Sequence, residues 1–84
     1  MDRKQIFTTL IETVMAVDER IDAARMRLDE TPFRAYGLTS LTQLQVGSRV
    51  AERFGIIFED SDALLAISPL GLVTLIERRL ASAA

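Results

Sequence analysis

The chain has 84 residues, of which 49% are hydrophobic, and a formal net charge of −2. It contains neither cysteine nor histidine, which excludes disulfides, thiolate metal sites and the usual general base of hydrolases. Lysine and arginine form no run, so a nucleic-acid partner is not expected. No apolar run approaches the ~18–20 residues of a membrane span, so we expect a soluble cytoplasmic protein without a membrane partner.

The first predicted element is a helix from about Arg3 to Val17. Its apolar residues recur at the spacing of one helix face: Ile6, Phe7, Leu10, Ile11, Val14 and Met15. Asp2 followed by Gln5 three residues later resembles a capping box, with Asp2 as the cap. We expect this face, Met15 included, to lie in the core.

A long connection follows, from about Asp18 to Thr39, and it is rich in turn-forming residues such as Pro32 and Gly37. A structureless loop of this length is unusual in a small domain, so we expect it to pack on the core. Five apolar residues can do so: Ile21, Met26, Leu28, Phe33 and Leu38. A helical turn or two is predicted from Asp22 to Leu28, and Tyr36 is expected beneath the turn before Ser40.

The next helix is predicted from Ser40 to Phe54, ended by Gly55, since glycine directly after a periodic stretch is a C-cap signal. Val46, Val50 and Phe54 share about 80° of arc and form its core stripe. The short apolar stretch from Ile56 to Phe58 is predicted to be an extended connector tucked into the core.

A short helix is predicted from Asp60 to Ile67, and a last main helix from Ser68-Pro69 to about Leu80. Serine followed by proline is typical of an N-cap and the first helical position. Leu72, Val73, Ile76 and Leu80 supply the core stripe of this last helix. Arg78 and Arg79 are interpreted as charges that oppose the negative helix end, and Glu59, Asp60 and Asp62 as a solvated cap cluster rather than a metal site.

These elements predict an all-α fold: a four-helix bundle with three main helices, one short helix and a long first connection. A single domain over residues 1–84 is expected.

The helix from Ser40 also has apolar residues on a face that its core stripe leaves outside. Leu41 lies roughly opposite the stripe with Ser48 and Ala51 near it, and Leu44 lies about 120° from its centre. Single exposed leucines are ordinary and need no function. The alternative is a docking surface beside Ser40.

The stretch Tyr36-Gly37-Leu38-Thr39-Ser40-Leu41 places a serine at the start of this helix, where it could cap the helix or carry an attached group. Spacing alone favours capping, since Thr39 and Ser40 are both good N-cap types. Attachment is favoured by the unpaired amides and the positive dipole end of a helix N-terminus, which suit a phosphate. A separate enzyme would then perform the transfer, which agrees with the lack of histidine.

The sequence resembles the acyl carrier proteins, the small four-helix bundles of fatty-acid and polyketide synthesis. Three stretches carry the resemblance: Asp29-Glu30-Thr31-Pro32-Phe33, Tyr36-Gly37-Leu38-Thr39-Ser40-Leu41 and Phe54-Gly55-Ile56. The second stretch is similar to the usual family motif Gly-Leu-Asp-Ser-Leu. The resemblance covers nearly the whole chain, including the helix order and the long first connection.

The resemblance implies that Ser40 accepts 4′-phosphopantetheine from coenzyme A and that the thiol of this arm holds an acyl cargo as a thioester. It implies no catalytic residue and no metal, a monomer, and a phosphopantetheinyl transferase as the loading partner. Ketosynthases, acyltransferases or ligases are the implied later partners. The implied docking residues are Thr39, Leu41, Leu44, Gln45, Ser48 and Ala51.

Two departures from the family pattern stand out. Thr39 occupies the position where the family normally has Asp, which removes a carboxylate beside the attachment site. The second helix of the family is typically acidic, whereas here Arg49 and Arg53 against Glu52 give a net charge of +1. This charge predicts apolar or charge-altered partners in a dedicated polyketide or other specialised pathway.

Several alternatives stay open. Gly37-Leu38 favours an acyl carrier over a peptidyl or aminoacyl carrier, which usually has two glycines there. Thr39 favours a carrier-like interaction module that is never modified. A small DNA-binding helical domain disagrees with the acidic balance, and a hydrolase using Ser40 lacks a base.

Overall fold

The computed structural model describes residues 2–59, 61–62 and 65–82 and contains three α-helices: α1 (Arg3–Val17), α2 (Ser40–Phe54) and α3 (Pro69–Ser82). Two 3₁₀ turns, Ala23–Arg25 and Phe33–Tyr36, lie in the first connection. The described residues contain no strand, so the all-α prediction is confirmed. No helix within these residues combines the length and the apolar character needed to cross a membrane.

Helix α1 begins with the predicted capping box. The Asp2 carboxylate accepts the Gln5 backbone N–H at 2.9 Å, and the Gln5 side chain accepts the Asp2 N–H at 3.0 Å. Three residues spaced by four, Ile6, Leu10 and Val14, are fully buried. Met15 is 55% exposed, so its predicted core position is wrong, because it lies about 100° around the helix from Val14.

The first connection packs on the core as predicted, and two backbone hydrogen bonds join its middle to the segment at the start of α3. Its buried residues are Ile21, Ala23, Met26, Phe33 and Leu38. The Phe33 N–H donates to the Ile67 carbonyl at 2.8 Å, and the Leu70 N–H donates to the Asp29 carbonyl at 3.1 Å. The helical turn predicted between Asp22 and Leu28 is present as the shorter Ala23–Arg25 turn.

Helix α2 buries Val46 and Val50, and Phe54 packs half-buried against the same core. Gly55 adopts the left-handed conformation (φ 66°) and ends the helix as predicted. The chain then reverses, and the Ile56 N–H donates to the Ala51 carbonyl at 2.9 Å.

The segment after Gly55 is only partly tucked into the core. Ile56 and Phe58 pack half-buried against it, but Ile57 is 83% exposed. An extended chain alternates its side chains between two faces, so the middle residue has to point outward. The prediction was therefore wrong for Ile57.

The short helix predicted from Asp60 to Ile67 falls partly on Asp60, Ala63 and Leu64, which lie outside the described residues. Of the remainder, residues 61–62 have 3₁₀ conformation and residues 65–67 form a turn. This part of the prediction stays open.

Helix α3 begins as predicted, with the Ser68 hydroxyl accepting the Gly71 N–H at 3.0 Å. It buries Pro69, Leu72, Val73, Leu75 and Ile76, and extends two residues beyond the predicted end at Leu80. Together α1, α2, α3 and the first connection enclose one continuous apolar core.

Candidate functional site

The loop before α2 brings the chain from the core to the surface in three residues. Gly37 ends the Phe33–Tyr36 turn in a left-handed conformation (φ 95°), which glycine adopts at little cost. Leu38 is buried and holds the loop against the core, and the Leu38 N–H donates to the Phe33 carbonyl at 3.3 Å. Thr39 and Ser40 then stand exposed at the start of the helix.

Thr39, not Ser40, caps α2. The Thr39 hydroxyl accepts the Thr42 N–H at 3.1 Å, and its backbone is extended (φ −78°, ψ 169°), as an N-cap residue requires. Ser40 is the first helical residue. The preference for Ser40 as the cap, which rested on spacing alone, was therefore wrong by one position.

The Ser40 hydroxyl is exposed and makes no hydrogen bond to any residue that the structure describes. It consequently has no general base in contact with it. Within residues 2–59, 61–62 and 65–82, no group of three or more acidic side chains comes together to hold a metal ion.

Of the first four backbone N–H groups of α2, two form hydrogen bonds and two do not bond to any described residue. The Thr42 N–H bonds the Thr39 hydroxyl, and the Gln43 N–H bonds the Thr39 carbonyl at 2.9 Å. The N–H groups of Ser40 and Leu41 have no partner within the described part of the chain. They are available to an anionic group bonded to Ser40, and the positive end of the α2 dipole favours such a group.

A groove of about 810 Å³ begins at Ser40 and follows α2. Buried Phe33 and Leu72 form its floor. Its α2 wall contains Ser40, Gln43, Leu44, Gly47, Ser48, Ala51 and Glu52, and its opposite wall contains Ile56, Ile57, Phe58, Glu59, Asp62 and Ala66. The groove thus offers an apolar floor with polar groups at its edge to any molecule attached at Ser40.

The Gln43 side chain connects the two walls near Ser40. Its amide nitrogen donates to the Ala66 carbonyl at 3.4 Å. At this distance the hydrogen bond is long and therefore weak.

Four of the predicted docking residues besides Thr39 form an exposed surface on α2. Leu41 is 65% exposed and Leu44 is 66% exposed, and Gln45 and Ser48 are also exposed. Ala51 is only 8% exposed, so the prediction that it lies on this outward surface was wrong. The chain reversal after Gly55 covers it, and Ala51 lines the groove instead.

The charged residues of α2 lie toward its C-terminal end. Arg49, Glu52 and Arg53 are all exposed, and none forms an ion pair with another described residue. The net charge of +1 on this helix therefore faces solvent.

One carboxylate of the groove wall is held in place by two partners. Asp62 is 4% exposed and accepts the Glu59 N–H at 2.7 Å and the Arg79 guanidinium at 2.6 Å. The Glu59 N–H, followed by Arg79, lowers the pKa of Asp62 below its usual value. The interpretations of Asp62 as solvated and of Arg79 as only a helix-end charge were therefore wrong.

No local sequence pattern points to the groove-lining residues outside the exposed face of α2. Ile56, Phe58 and Leu72 read as ordinary core residues, and no local pattern connects Asp62 with Arg79. One signal was present at Gly47, because glycine is an unfavourable residue in a helix interior.

A family model described as "Phosphopantetheine attachment site" matches residues 7–79 of the chain. Neither the search of curated proteins nor the search of solved structures gives a significant match.

Proposed function

Because the chain belongs to the phosphopantetheine attachment-site family, we propose that it is an acyl carrier protein that bears its prosthetic group on Ser40. The family carries a covalently attached 4′-phosphopantetheine. When bound, this arm supplies a thiol that holds acyl groups as thioesters. The chain itself would hold and present the cargo to partner enzymes.

The observation that supports Ser40 most strongly is its exposed hydroxyl, which lies beside two backbone N–H groups; neither the hydroxyl nor these N–H groups bond to a described residue. The hydroxyl is accessible to a transferase, and the N–H groups suit the phosphate that would remain there. Thr39 already caps the helix, so modification of Ser40 breaks no hydrogen bond with a described residue. The residues present therefore fit the group.

We do not propose that this chain catalyses a reaction. The Ser40 hydroxyl contacts no described carboxylate or amine that could take its proton, and the chain has no histidine. A phosphopantetheinyl transferase would supply the base and bind coenzyme A. The Ser40 oxygen would attack the pyrophosphate of coenzyme A, and 3′,5′-adenosine diphosphate would leave.

The groove beside Ser40 supports an acyl cargo. Its floor, formed by Phe33 and Leu72, is apolar, and Ile56, Phe58 and Ala66 add partly buried apolar surface. Burial of an alkyl chain there is favourable by about 0.8 kcal/mol per buried CH₂. Cargo that is sheltered in this way would be protected from water between partners.

The exposed leucines of α2 support docking to partners through apolar contact. Leu41 and Leu44 are exposed and, being three residues apart, lie on one face of α2. The charges of the helix sum to +1 rather than to a negative value. We infer ketosynthase, acyltransferase or ligase partners with apolar or acidic docking sites, in a polyketide or other specialised pathway. A cytoplasmic location and a monomeric state complete this proposal.

Two other functions keep some support. A peptidyl or aminoacyl carrier would use the same serine and the same arm. An unmodified interaction module is supported by Thr39, which places no carboxylate beside Ser40 for recognition by a transferase.

Mass spectrometry tests the proposal directly. The protein is incubated with coenzyme A and a broad-specificity transferase, and we expect a gain of about 340 Da, which peptide mapping places on Ser40. Ser40→Ala should gain nothing. Ser82→Ala, which removes an exposed hydroxyl at the end of α3, should be modified like the wild type.

Failure of several transferases to modify folded protein would favour the unmodified module. Modification at another residue would contradict the assignment of Ser40. Once the arm is attached, the transfer of malonyl, fatty-acyl and aminoacyl groups to its thiol would be compared, each offered as a coenzyme A thioester or as a ligase substrate. The group that is accepted would distinguish an acyl carrier from an aminoacyl carrier.

A further inference from the structure

At three of the four glycine positions the backbone conformation or the packing requires glycine, whereas at Gly47 neither does. Gly37 and Gly55 adopt positive φ angles. A Cβ atom on Gly71 would overlap the Leu65 carbonyl oxygen. Gly47 has neither a positive φ nor a close neighbour, because a Cβ atom there would meet only Phe58 Cε2, at an ordinary 3.9 Å.

The helix would be more stable with alanine at this position. Gly47 lies in the middle of α2, where glycine loses more backbone entropy on folding than alanine does. The backbone and the packing would both accept a methyl group. The absence of a side chain at Gly47 is therefore not explained by the fold.

The missing side chain matters for the groove. Gly47 lies in the α2 wall, seven residues after Ser40, which is nearly two helical turns and about 10 Å along the axis on the same side. The Phe58 ring edge approaches it from the opposite wall. A larger side chain at residue 47 would extend into the space between these walls.

We propose that Gly47 is a specificity-determining residue, which keeps the groove open to a straight apolar acyl chain attached through Ser40. The inference rests on the proposed carrier function. The occupant is the acyl chain and not the arm, because the floor beneath this point is formed by Phe33 and Leu72 and offers no partner to the amides of the arm.

The test compares the melting temperature of protein loaded with octanoyl-phosphopantetheine against protein loaded with the free-thiol arm. In the wild type we expect octanoylation to raise the melting temperature by about 4–8 °C, the shift that modest apolar burial produces in a domain of this size. Amide NMR shifts of Phe58, Ala66 and Leu72 should change with it.

Two substitutions then separate the cargo effect from helix stability. Gly47→Ala should raise the melting temperature of the unloaded protein by about 4–8 °C, because alanine is the better helix former. Gly47→Leu should remain folded and modifiable, but octanoylation should no longer raise its melting temperature or shift the three amides. Glu12→Leu, on the exposed side of α1, another helix of 15 residues, is the matched control and should retain the octanoyl effect.

An octanoyl effect of wild-type size in Gly47→Leu would overturn the inference. So would a loaded wild type without any octanoyl effect, which would leave the carrier function intact. If Gly47→Leu is unfolded before loading, Gly47→Ala decides: a reduced octanoyl effect supports the inference, and an unchanged or larger one contradicts it. Failure of the carrier function itself appears separately, as the absence of a mass gain on wild-type Ser40.

Discussion

Arg79 on α3 places one guanidinium nitrogen 2.7 Å from Asp62 Oδ1 and 2.6 Å from Asp62 Oδ2. The same carboxylate accepts the Glu59 N–H, so it joins α3 to the chain that lines the groove. The Glu59 side chain lies at the longer distance of 4.0 Å from Arg79 and is mostly exposed. Asp62 is thus the principal anion for Arg79 among the described residues.

This ion pair predicts a loss of stability in acid. The pKa of Asp62 is lower in the folded protein than in the unfolded chain, because the Glu59 N–H and Arg79 favour the carboxylate. Its stabilising contribution is therefore complete above the unfolded pKa of about 3.9 and is lost as the pH falls through the lower folded value. Asp62→Asn should melt below the wild type at pH 7, and the two melting temperatures should converge below about pH 4.

Thermal unfolding from pH 7 to pH 2.5 checks this convergence. Asp18 and Asp29 also have lowered pKa values, but they are common to both proteins and cancel in the comparison. Glu59→Gln is the control and should change the melting temperature less than Asp62→Asn. A difference between Asp62→Asn and wild type that stays constant with pH would contradict the assigned role.

The adjacent hydroxyls of Thr39 and Ser40 predict opposite effects on stability. Thr39→Ala removes the N-cap and should lower the free energy of unfolding by about 0.5–2 kcal/mol. Ser40→Ala replaces an unbonded side chain at a helical position, so we expect no loss and a gain of up to about 0.5 kcal/mol. Urea unfolding of the unmodified proteins measures both.

Thr39→Ser is the matched control for the cap and should remain close to wild type, since serine caps helices at least as well. A larger loss in Ser40→Ala than in Thr39→Ala would show that Ser40 supports the helix. That result would also remove the main argument for its availability.

Gly71 is predicted to be intolerant of a methyl group. Its added Cβ atom would overlap the Leu65 carbonyl oxygen and press on the Ser68 hydroxyl, which caps α3. Backbone atoms cannot move aside without a shift of the turn, so Gly71→Ala should cost about 1–3 kcal/mol of unfolding free energy. Chemical denaturation gives the value.

The same change at Gly47 provides the comparison, because both glycines lie in α-helices. Stability of Gly71→Ala equal to that of the wild type would contradict the close contact between residue 71 and the Leu65 carbonyl oxygen. Both variants should be compared without the prosthetic group.

The exposed leucines predict a docking interaction with little dependence on salt. Leu41→Ala or Leu44→Ala should weaken binding of a cognate partner about 5- to 10-fold, which corresponds to about 1–1.4 kcal/mol. Between 50 and 200 mM salt the affinity of the wild type should change by less than about threefold, since apolar contacts are not screened. Titration calorimetry or fluorescence anisotropy measures both effects.

Glu12→Ala replaces an exposed residue of α1, outside the α2 surface, and is the control for this titration. A steep loss of wild-type affinity with salt would instead indicate that Arg49 and Arg53 dominate docking through an acidic partner surface. Unchanged affinity in both leucine variants would exclude this surface as the docking site.

Local signals predicted most of the fold. The Asp2 and Gln5 capping box, the glycine after Phe54 and the Ser68-Pro69 pair each fix a helix end through groups within a few residues. The three helices therefore lie within a residue or two of their predicted bounds. Local spacing favoured Ser40 as the cap, a role that Thr39 has instead; the accessible Ser40 hydroxyl was predicted from the family resemblance and from its place at the start of α2.

Features that depend on distant parts of the chain were missed. Ala51 is covered by the chain that returns after Gly55, and Asp62 meets Arg79 across 17 positions of sequence. A helical wheel gives the direction of a side chain but not what lies beyond it, which is why Ala51 was placed on the outward face of α2. The groove is likewise formed by separate segments and has no local pattern.

The separation of the two neighbouring hydroxyls has a thermodynamic consequence for a protein that is loaded and unloaded repeatedly. Because the Thr39 hydroxyl, and not that of Ser40, caps α2, esterification of Ser40 should break no hydrogen bond among the described residues. The phosphate then adds an interaction with the start of α2 that is the same for every cargo. Any difference in stability between the free-thiol and the acylated protein would therefore report the cargo and not its anchor.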